Sequence, residues 1–311
     1  MQGAVVPACH KATRQGVSPD DDAMTQKRVL VIGANGMLGR DLVPALKSAG
    51  FDVIGVDREE LDITDQCQCR AGFQRYQPKV VINCAAYTRV DQAEIERDLA
   101  FQINAVGAGY VARAAAFVGA LCIFISTDYV FDGTRVEPYD EWAPPCAINA
   151  YGASKLAGEH RTMAEAKRWA IVRTSWLFGS NGPNFVKAIL ARARSGQPLR
   201  VVCDQVGAPT YTVDLSQALC EIATREVEGI LHRTNDGWCS WHEFAQAILN
   251  EAGLGEIEVA PIPASEYPAR APRPANSRLA AVRATQLGLA PLPPWRDALR
   301  RYLAETEMSD S

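Results

Sequence analysis

Three side chains frame the chemical question. Tyr151 and Lys155 stand four residues apart at the start of a helical stretch, so both lie on one helix face, one turn apart. A free phenol titrates at about 10, too high to exchange protons readily near neutrality. A neighbouring ammonium favours the phenolate and makes such a tyrosine a usable general acid. The same lysine suits the hydroxyls of a ribose. Ser126-Thr127-Asp128 closes an apolar run upstream. In a parallel sheet a hydroxyl at the carboxyl end of a strand points into the ligand crevice. Thr127 is therefore the natural second hydrogen-bond donor to a carbonyl oxygen.

A second constellation calls for a dinucleotide. Gly33, Gly36 and Gly39 separate the run Arg28 to Ile32 from a helical stretch ending near Gly50. Such a turn offers backbone N–H groups and a helix N-terminus to a pyrophosphate. Asp57 closes the next apolar run, Phe51 to Val56, where a carboxylate can accept hydrogen bonds from the adenosine ribose. Arg58 beside it suits a 2′-phosphate, so the residues leave NADPH and NADH both open. Asp62 and Ile63 are expected on the adenine side.

The elements that must position these residues follow from hydrophobic patterning. Apolar runs at Arg28 to Ile32, Phe51 to Val56, Val80 to Cys84, Leu121 to Ser126 and Ala170 to Thr174 alternate with helical stretches. Continuous rather than alternating apolar strands indicate a parallel sheet covered on both faces. The fold class is α/β, a doubly wound Rossmann-type sheet with a smaller C-terminal α/β lobe. Helices are expected from Asp91 to about Phe117, from Tyr151 to about Lys167, from Asn184 to about Arg194, and from about Ser240 to Ala252. A strand is expected near Leu199 to Cys203, and a short last helix near Trp295 to Ala304. Residues 1–26 read as a disordered tail. Residues 27–175 with about 206–236 form the dinucleotide-binding domain, and about 176–205 with 237–308 form the lobe that closes over it.

Composition narrows the function classes. The 311 residues are 48% hydrophobic and 22% charged, enough for a full core. A formal charge of −4 argues against a nucleic-acid or anionic-membrane surface. No window of eighteen apolar residues suggests a membrane span. The nine cysteines include no CxxC pair, and the four histidines show no zinc-ligand spacing beside them. Reduced thiols in a cytoplasmic protein without a metal site fit this pattern best.

Beyond these, longer motifs run through the chain: Asn83 to Thr88 (NCAAYT), Ser126 to Gly133 (STDYVFDG), Asn149 to Glu159 (NAYGASKLAGE), Arg173 to Trp176 (RTSW), Asn184-Phe185, Asp204 to Thr210 (DQVGAPT) and Arg273 to Leu279 (RPANSRL). With them the chain from about Arg28 to about Tyr302 resembles the dTDP-4-dehydrorhamnose reductases, a family of extended short-chain dehydrogenases. The resemblance implies hydride transfer from NAD(P)H to C4 of a dTDP-linked keto sugar, with Tyr151 as proton donor, Lys155 as its partner and Thr127 tuning the donor. It implies cofactor contacts at Gly36, Met37, Leu38, Asp57, Asp62, Ile63, Ala86, Tyr87 and Thr88, and sugar-nucleotide contacts at Thr127, Asp128, Tyr151 and Trp176. Asn184 joins that substrate set, and Arg278 is the guanidinium expected on the substrate diphosphate.

Some members of this family hold Mg²⁺ between glutamates at a dimer interface. Here Asp41 follows Gly39-Arg40 and Asp297 follows Trp295-Arg296, so a monomer or a metal-free homodimer is expected. Three rival readings remain. A 4,6-dehydratase usually needs Asp-Glu after the Ser/Thr, and this chain has Asp128-Tyr129. A sugar-nucleotide 4-epimerase or another 4-ketohexose reductase would share most motifs. The non-catalytic regulatory subunit of methionine adenosyltransferase is also similar, but the intact Thr127, Tyr151 and Lys155 set favours catalysis.

Overall fold

The computed structural model describes residues 26–309. The tail expected at residues 1–26 therefore lies, except for Gln26, outside the described residues. From there the chain runs β1 (Arg28–Ile32), α1 (Met37–Ser48), β2 (Asp52–Val56), α2 (Gln66–Tyr76), β3 (Val80–Asn83), α3 (Val90–Ala93), α4 (Arg97–Phe101), α5 (Ala108–Val118), β4 (Leu121–Thr127), α6 (Ala150–Glu165) and β5 (Arg168–Thr174). It continues through β6 (Leu177–Phe178), α7 (Phe185–Arg194), β7 (Leu199–Val202), β8 (Val206–Gly207), β9 (Thr210–Tyr211), α8 (Thr212–Arg225) and β10 (Gly229–His232). The last elements are β11 (Cys239–Ser240), α9 (Trp241–Glu251), β12 (Val259–Ile262), α10 (Val282–Gln286) and α11 (Trp295–Ser309).

One six-stranded sheet, ordered β10-β5-β4-β3-β1-β2, carries the molecule, and every pairing in it is parallel. The unbroken apolar strands have a direct cause. Val29, Val31, Ile82 and Ile123 face one cluster with Leu42 and Leu46 of α1 and Leu215 and Leu219 of α8. Leu30, Ile32, Val81 and Cys122 face the opposite cluster with Phe73 of α2 and Val111 and Ala115 of α5. Successive side chains point to opposite faces of a strand, so a sheet covered twice must be apolar at every position. In a third cluster Phe178, Tyr211, Phe244, Trp295 and Tyr302 pack together. Around it run the short pairs β7–β12, β6–β9 and β8–β11.

Strand order reverses between β1 and β3, the switch point at which open α/β sheets bind ligands. Gly33 follows β1 there with φ +80°, and a Cβ on it would lie 2.9 Å from the backbone nitrogen of Ala85, beyond β3. Only glycine meets both demands.

The single helix expected from Asp91 to Phe117 is broken. α3 and α4 are short, and residues 102–107 form a π-turn before α5 begins. The turn directs the Asn104 side chain to the backbone N–H and C=O of Tyr87 and to the Ser154 hydroxyl of α6. A Cβ on Gly158 would sit 2.1 Å from the Asn104 carbonyl oxygen. Composition gave the whole stretch one helical period, while tertiary hydrogen bonds dictate the break. α11 also runs to Ser309, beyond the expected Ala304.

α6 is tied to the sheet by a buried ion pair. Arg173 of β5 donates to both carboxylate oxygens of Glu159 at 2.8 and 2.7 Å, with side-chain exposures of 2% and 1%. Ser126 of β4 donates to the same carboxylate at 2.6 Å. Removing one partner strands a desolvated charge. Arg173→Met should therefore destabilise the protein by about 3–5 kcal/mol, and pairing it with Glu159→Gln should recover part of the loss. Urea unfolding of the three variants measures both effects.

Candidate active site

Thr127, Asp128, Tyr151 and Lys155 converge where β4 ends against the first turns of α6. Asn149 caps that helix, its side chain accepting from the Gly152 N–H at 2.7 Å and donating to the Pro272 carbonyl at 2.9 Å. The cap fixes where Tyr151 begins, and the helical period then delivers Lys155 to the same face. Lys155 is buried; its ammonium donates to the Ile125 carbonyl at 2.6 Å and lies 4.0 Å from the centre of the Phe124 ring. Thr127 donates to Asp128 Oδ1 at 2.9 Å and is also hydrogen-bonded to the Tyr151 phenol.

The electrostatics differ from the sequence expectation that Lys155 lowers the phenol. Burial pushes Tyr151 up to about 12, opposed by the Thr127 hydrogen bond and reinforced by the Asp128 carboxylate. Lys155 is brought down to about 7 by burial, with the carboxylate of Glu159 opposing the drop. Both groups are thus held toward their neutral forms, because a desolvated crevice penalises charge of either sign. Asp128 follows the same rule: burial raises it to about 7 against hydrogen bonds from Ser277 and Thr127.

Beside this cluster a cavity of about 340 Å³ opens at the switch point, lined among others by Gly33, Gly36, Asp57, Arg58, Asp62 and Ala86. Ile63 also lines it while packing into the core beneath. Asp57 accepts the Asn35 N–H at 2.9 Å, which anchors the glycine turn to the end of β2. Arg58 is mostly exposed, 83% of its side chain, and pairs with Asp62 at 3.1 Å. An open glycine turn with a carboxylate and a mobile-length guanidinium at its rim fits the adenosine half of a dinucleotide. The remaining cofactor candidates lie elsewhere. Leu38 is buried in the core below α1, and Gly39 is buried against the turn formed by Gly33 and Ala34. Met37 is half-buried at the first turn of α1. Tyr87 is buried with its hydroxyl donating to Glu96, and Thr88 is exposed.

The expected substrate residues divide. Trp176 holds a left-handed backbone, φ +47°, a strained state for any residue with a large side chain. Its half-exposed ring stacks on Trp241 at 3.5 Å between centroids and 8° between planes. Asn184 caps α7, its side chain accepting the Lys187 N–H and donating to the Gly179 carbonyl. The Arg278 guanidinium donates to Asn276 and to the Val136 carbonyl and lies 5.4 Å from the Trp238 ring centre. Ser277, the residue before it, is hydrogen-bonded to Asp128.

Several residues at the site carry no chemical signature in the sequence. Ser277 is one, and Leu99, Gln102 and Ile103, at the break between α4 and α5, line the cavity. Arg273 is bound to Asp91 through two contacts, at 3.1 and 2.8 Å, and also to the Tyr129 phenol. Tyr129 in turn meets Tyr151 edge to face at 6.0 Å. Asp41 accepts from Asn181 and Thr212, whereas Asp297 pairs with Arg301, so the two carboxylates serve different contacts. Among the described residues no group of three His, Cys, Asp or Glu is placed to hold a metal, and no helix is long and apolar enough to cross a membrane.

The sequence profile of the RmlD substrate binding domain family matches residues 27–308. A spore coat polysaccharide biosynthesis protein, SpsK, of Bacillus subtilis is 45% identical over 89% of this chain and 97% of its own length. A dTDP-4-dehydrorhamnose reductase of Mycolicibacterium smegmatis is 42% identical over 91% of this chain and 86% of its own. Among solved structures, a dTDP-4-dehydrorhamnose reductase from Bacillus anthracis in complex with NADP superposes with a TM-score of 0.87 at 42% identity, covering 90% of this chain and 99% of that one.

The buried lysine makes stability depend on pH. Its folded pKa of about 7 lies below the ordinary 10.5, so the unfolded chain binds more protons between those values and stability rises with pH across that window. Relative to alkaline conditions, stability is lost as pH falls toward 7 and the loss is complete below it. Lys155→Met should abolish this dependence and raise the melting temperature at pH 7 by a few degrees. Thermal melts of both proteins from pH 6 to about 10 test this; a melting temperature equally pH-dependent in both would refute it.

Proposed function

The chain belongs to the RmlD substrate binding domain family, and on that premise we propose that it reduces the 4-keto group of dTDP-4-dehydro-6-deoxy-L-mannose to give dTDP-L-rhamnose, in the cytoplasm. The observation that carries the reading is the convergence of Thr127, Tyr151 and Lys155 beside the glycine-turn cavity. The cofactor, NADPH or NADH, supplies the hydride. Gly33, Gly36, Asp57 and Arg58 line the cavity; the glycines would take the cofactor's pyrophosphate, and Asp57 and Arg58 its adenosine ribose.

The residues of this chain do the rest. Tyr151, kept protonated by its surroundings, donates to the substrate oxygen as negative charge develops there. Thr127 offers a second hydrogen bond to that oxygen, and Lys155, fixed against β4, is within the same helix face to orient the ribose hydroxyls. The charged Lys155 that a bound dinucleotide would favour would also stabilise the phenolate left behind. Trp176, stacked on Trp241, walls the sugar side.

Two measurements test this. Purified protein with dTDP-4-dehydro-β-L-rhamnose should consume NAD(P)H, and Tyr151→Phe should lower kcat by on the order of 100-fold or more while still binding cofactor. Unchanged turnover in that variant would remove Tyr151 from the chemistry. Arg58→Ala should raise KM for NADPH by about tenfold, as expected for a lost charged contact to a 2′-phosphate, and leave KM for NADH nearly unchanged. Equal effects on the two cofactors would show that Arg58 does not read the phosphate.

A further inference from the structure

Beyond the carboxyl end of β10, the edge strand of the sheet, a cavity of about 510 Å³ lies between residues 232–238 and residues 279–292. It shares no lining residue with the cavity at the glycine turn. We propose that it is a binding site for a small organic anion, a carboxylate or phosphate group on an apolar body, held by the Arg233 guanidinium.

Arg233 lines the cavity and is 2% exposed, yet most of its hydrogen-bonding capacity is unused. Only Nη2 has an acceptor, the Ala290 carbonyl at 2.6 Å, and Nε is buried without one. Two carboxylates act on the group, Glu221 and Glu141, both through charge alone and without a hydrogen bond. Each is committed elsewhere. Glu221 pairs with Arg225 at 2.9 Å and accepts the Ala290 N–H at 3.1 Å. Glu141 accepts the backbone N–H groups of His232 and Arg283. A buried carboxyl or amine could shed its charge by changing protonation, but a guanidinium keeps its proton across the ordinary pH range. A desolvated cation with idle donors is costly unless an anion meets it.

The rest of the cavity defines the ligand. Leu279, Leu289 and Leu292 are among its apolar walls, which suit an apolar body behind the charged group. Trp238 and Val282 line it and are exposed, which places them at the mouth. His232, also in the lining, is kept uncharged by burial, at about 3. Arg233 is therefore the cation that an anion would meet there. The carboxylate in the lining, Asp236, is exposed, and water screens its repulsion. A volume of this size lies within the range of small-molecule sites, and the guanidinium fork fits a carboxylate or a phosphate. Arg233 directly follows β10, and its N–H donates to the Arg173 carbonyl of β5 at 2.9 Å. The anion site thus rests on the sheet itself.

Isothermal titration calorimetry on the full chain tests this, with NADP saturating the glycine-turn cavity. The probes are benzoate, phenyl phosphate and the neutral benzyl alcohol. At least one of the two anions should bind with a Kd of about 1 mM or tighter, and the alcohol about tenfold more weakly or not at all. The tighter anion identifies the ligand's charged group as carboxylate or phosphate. Arg233→Met should weaken anion binding by about tenfold or more. Val282→Trp fills the mouth while keeping Arg233 and should block the same binding; it decides the matter should Arg233→Met fail to fold. Absence of binding by both anions, an alcohol that binds as tightly as they do, or anion binding unchanged in either variant would overturn the proposal. None of these readouts depends on turnover, so the reductase reading stands or falls separately.

Discussion

The site depends on the ion pair between Glu159 and Arg173. Both groups are almost wholly withdrawn from water, so each must satisfy the other, and Ser126 completes the carboxylate's hydrogen bonding. The pair lies one helical turn beyond Lys155 and two beyond Tyr151, on the face of α6 that meets the sheet. It thereby references the helix to β4 and β5 together. Thr127 and Ile125, which touch Tyr151 and Lys155, belong to that same β4. Hydrophobic packing alone would allow the helix to slide along the sheet, since apolar contacts are non-directional. A buried bidentate pair does not.

A second constraint is dielectric. Tyr151, Lys155 and Asp128 are each displaced toward neutrality, the first and last upward and the lysine downward. A crevice that makes ionisation costly keeps protons where a reduction needs them. It also makes the local charge state responsive to what enters, because any bound anion or cation would act in a medium that screens it poorly. The neutral tendency of Lys155 is thus a property of the protein without ligand.

Much of this was legible in the residues. Strands covered on both faces announced themselves as unbroken apolar runs, and Gly33 marked the switch point because no other residue tolerates its backbone and its closeness to Ala85. Tyr151 and Lys155 needed only the helical period. What escaped had no local signature. The π-turn at residues 102–107 is imposed by Asn104 reaching Tyr87 and Ser154, partners remote in sequence. Nor do the residues show that Asn184, expected at the substrate, also caps α7, or that Arg278 also holds Asn276 and the Val136 carbonyl. Side-chain direction in irregular segments depends on contacts that periodicity does not encode.

The strand order has a consequence for how the chain is made. β10 pairs with β5, and α8 covers the face of the sheet that carries Val29, Val31 and Ile82, but both elements follow β6, α7 and β7 to β9 in sequence. A nascent chain that has emerged only through Thr174 therefore presents an unpaired edge along β5 and a bare apolar face behind it. Such surfaces invite association with other chains. Synthesis must reach His232 before β10 can pair with β5 and α8 can cover that face, so both stay open while residues 175–232 are being made.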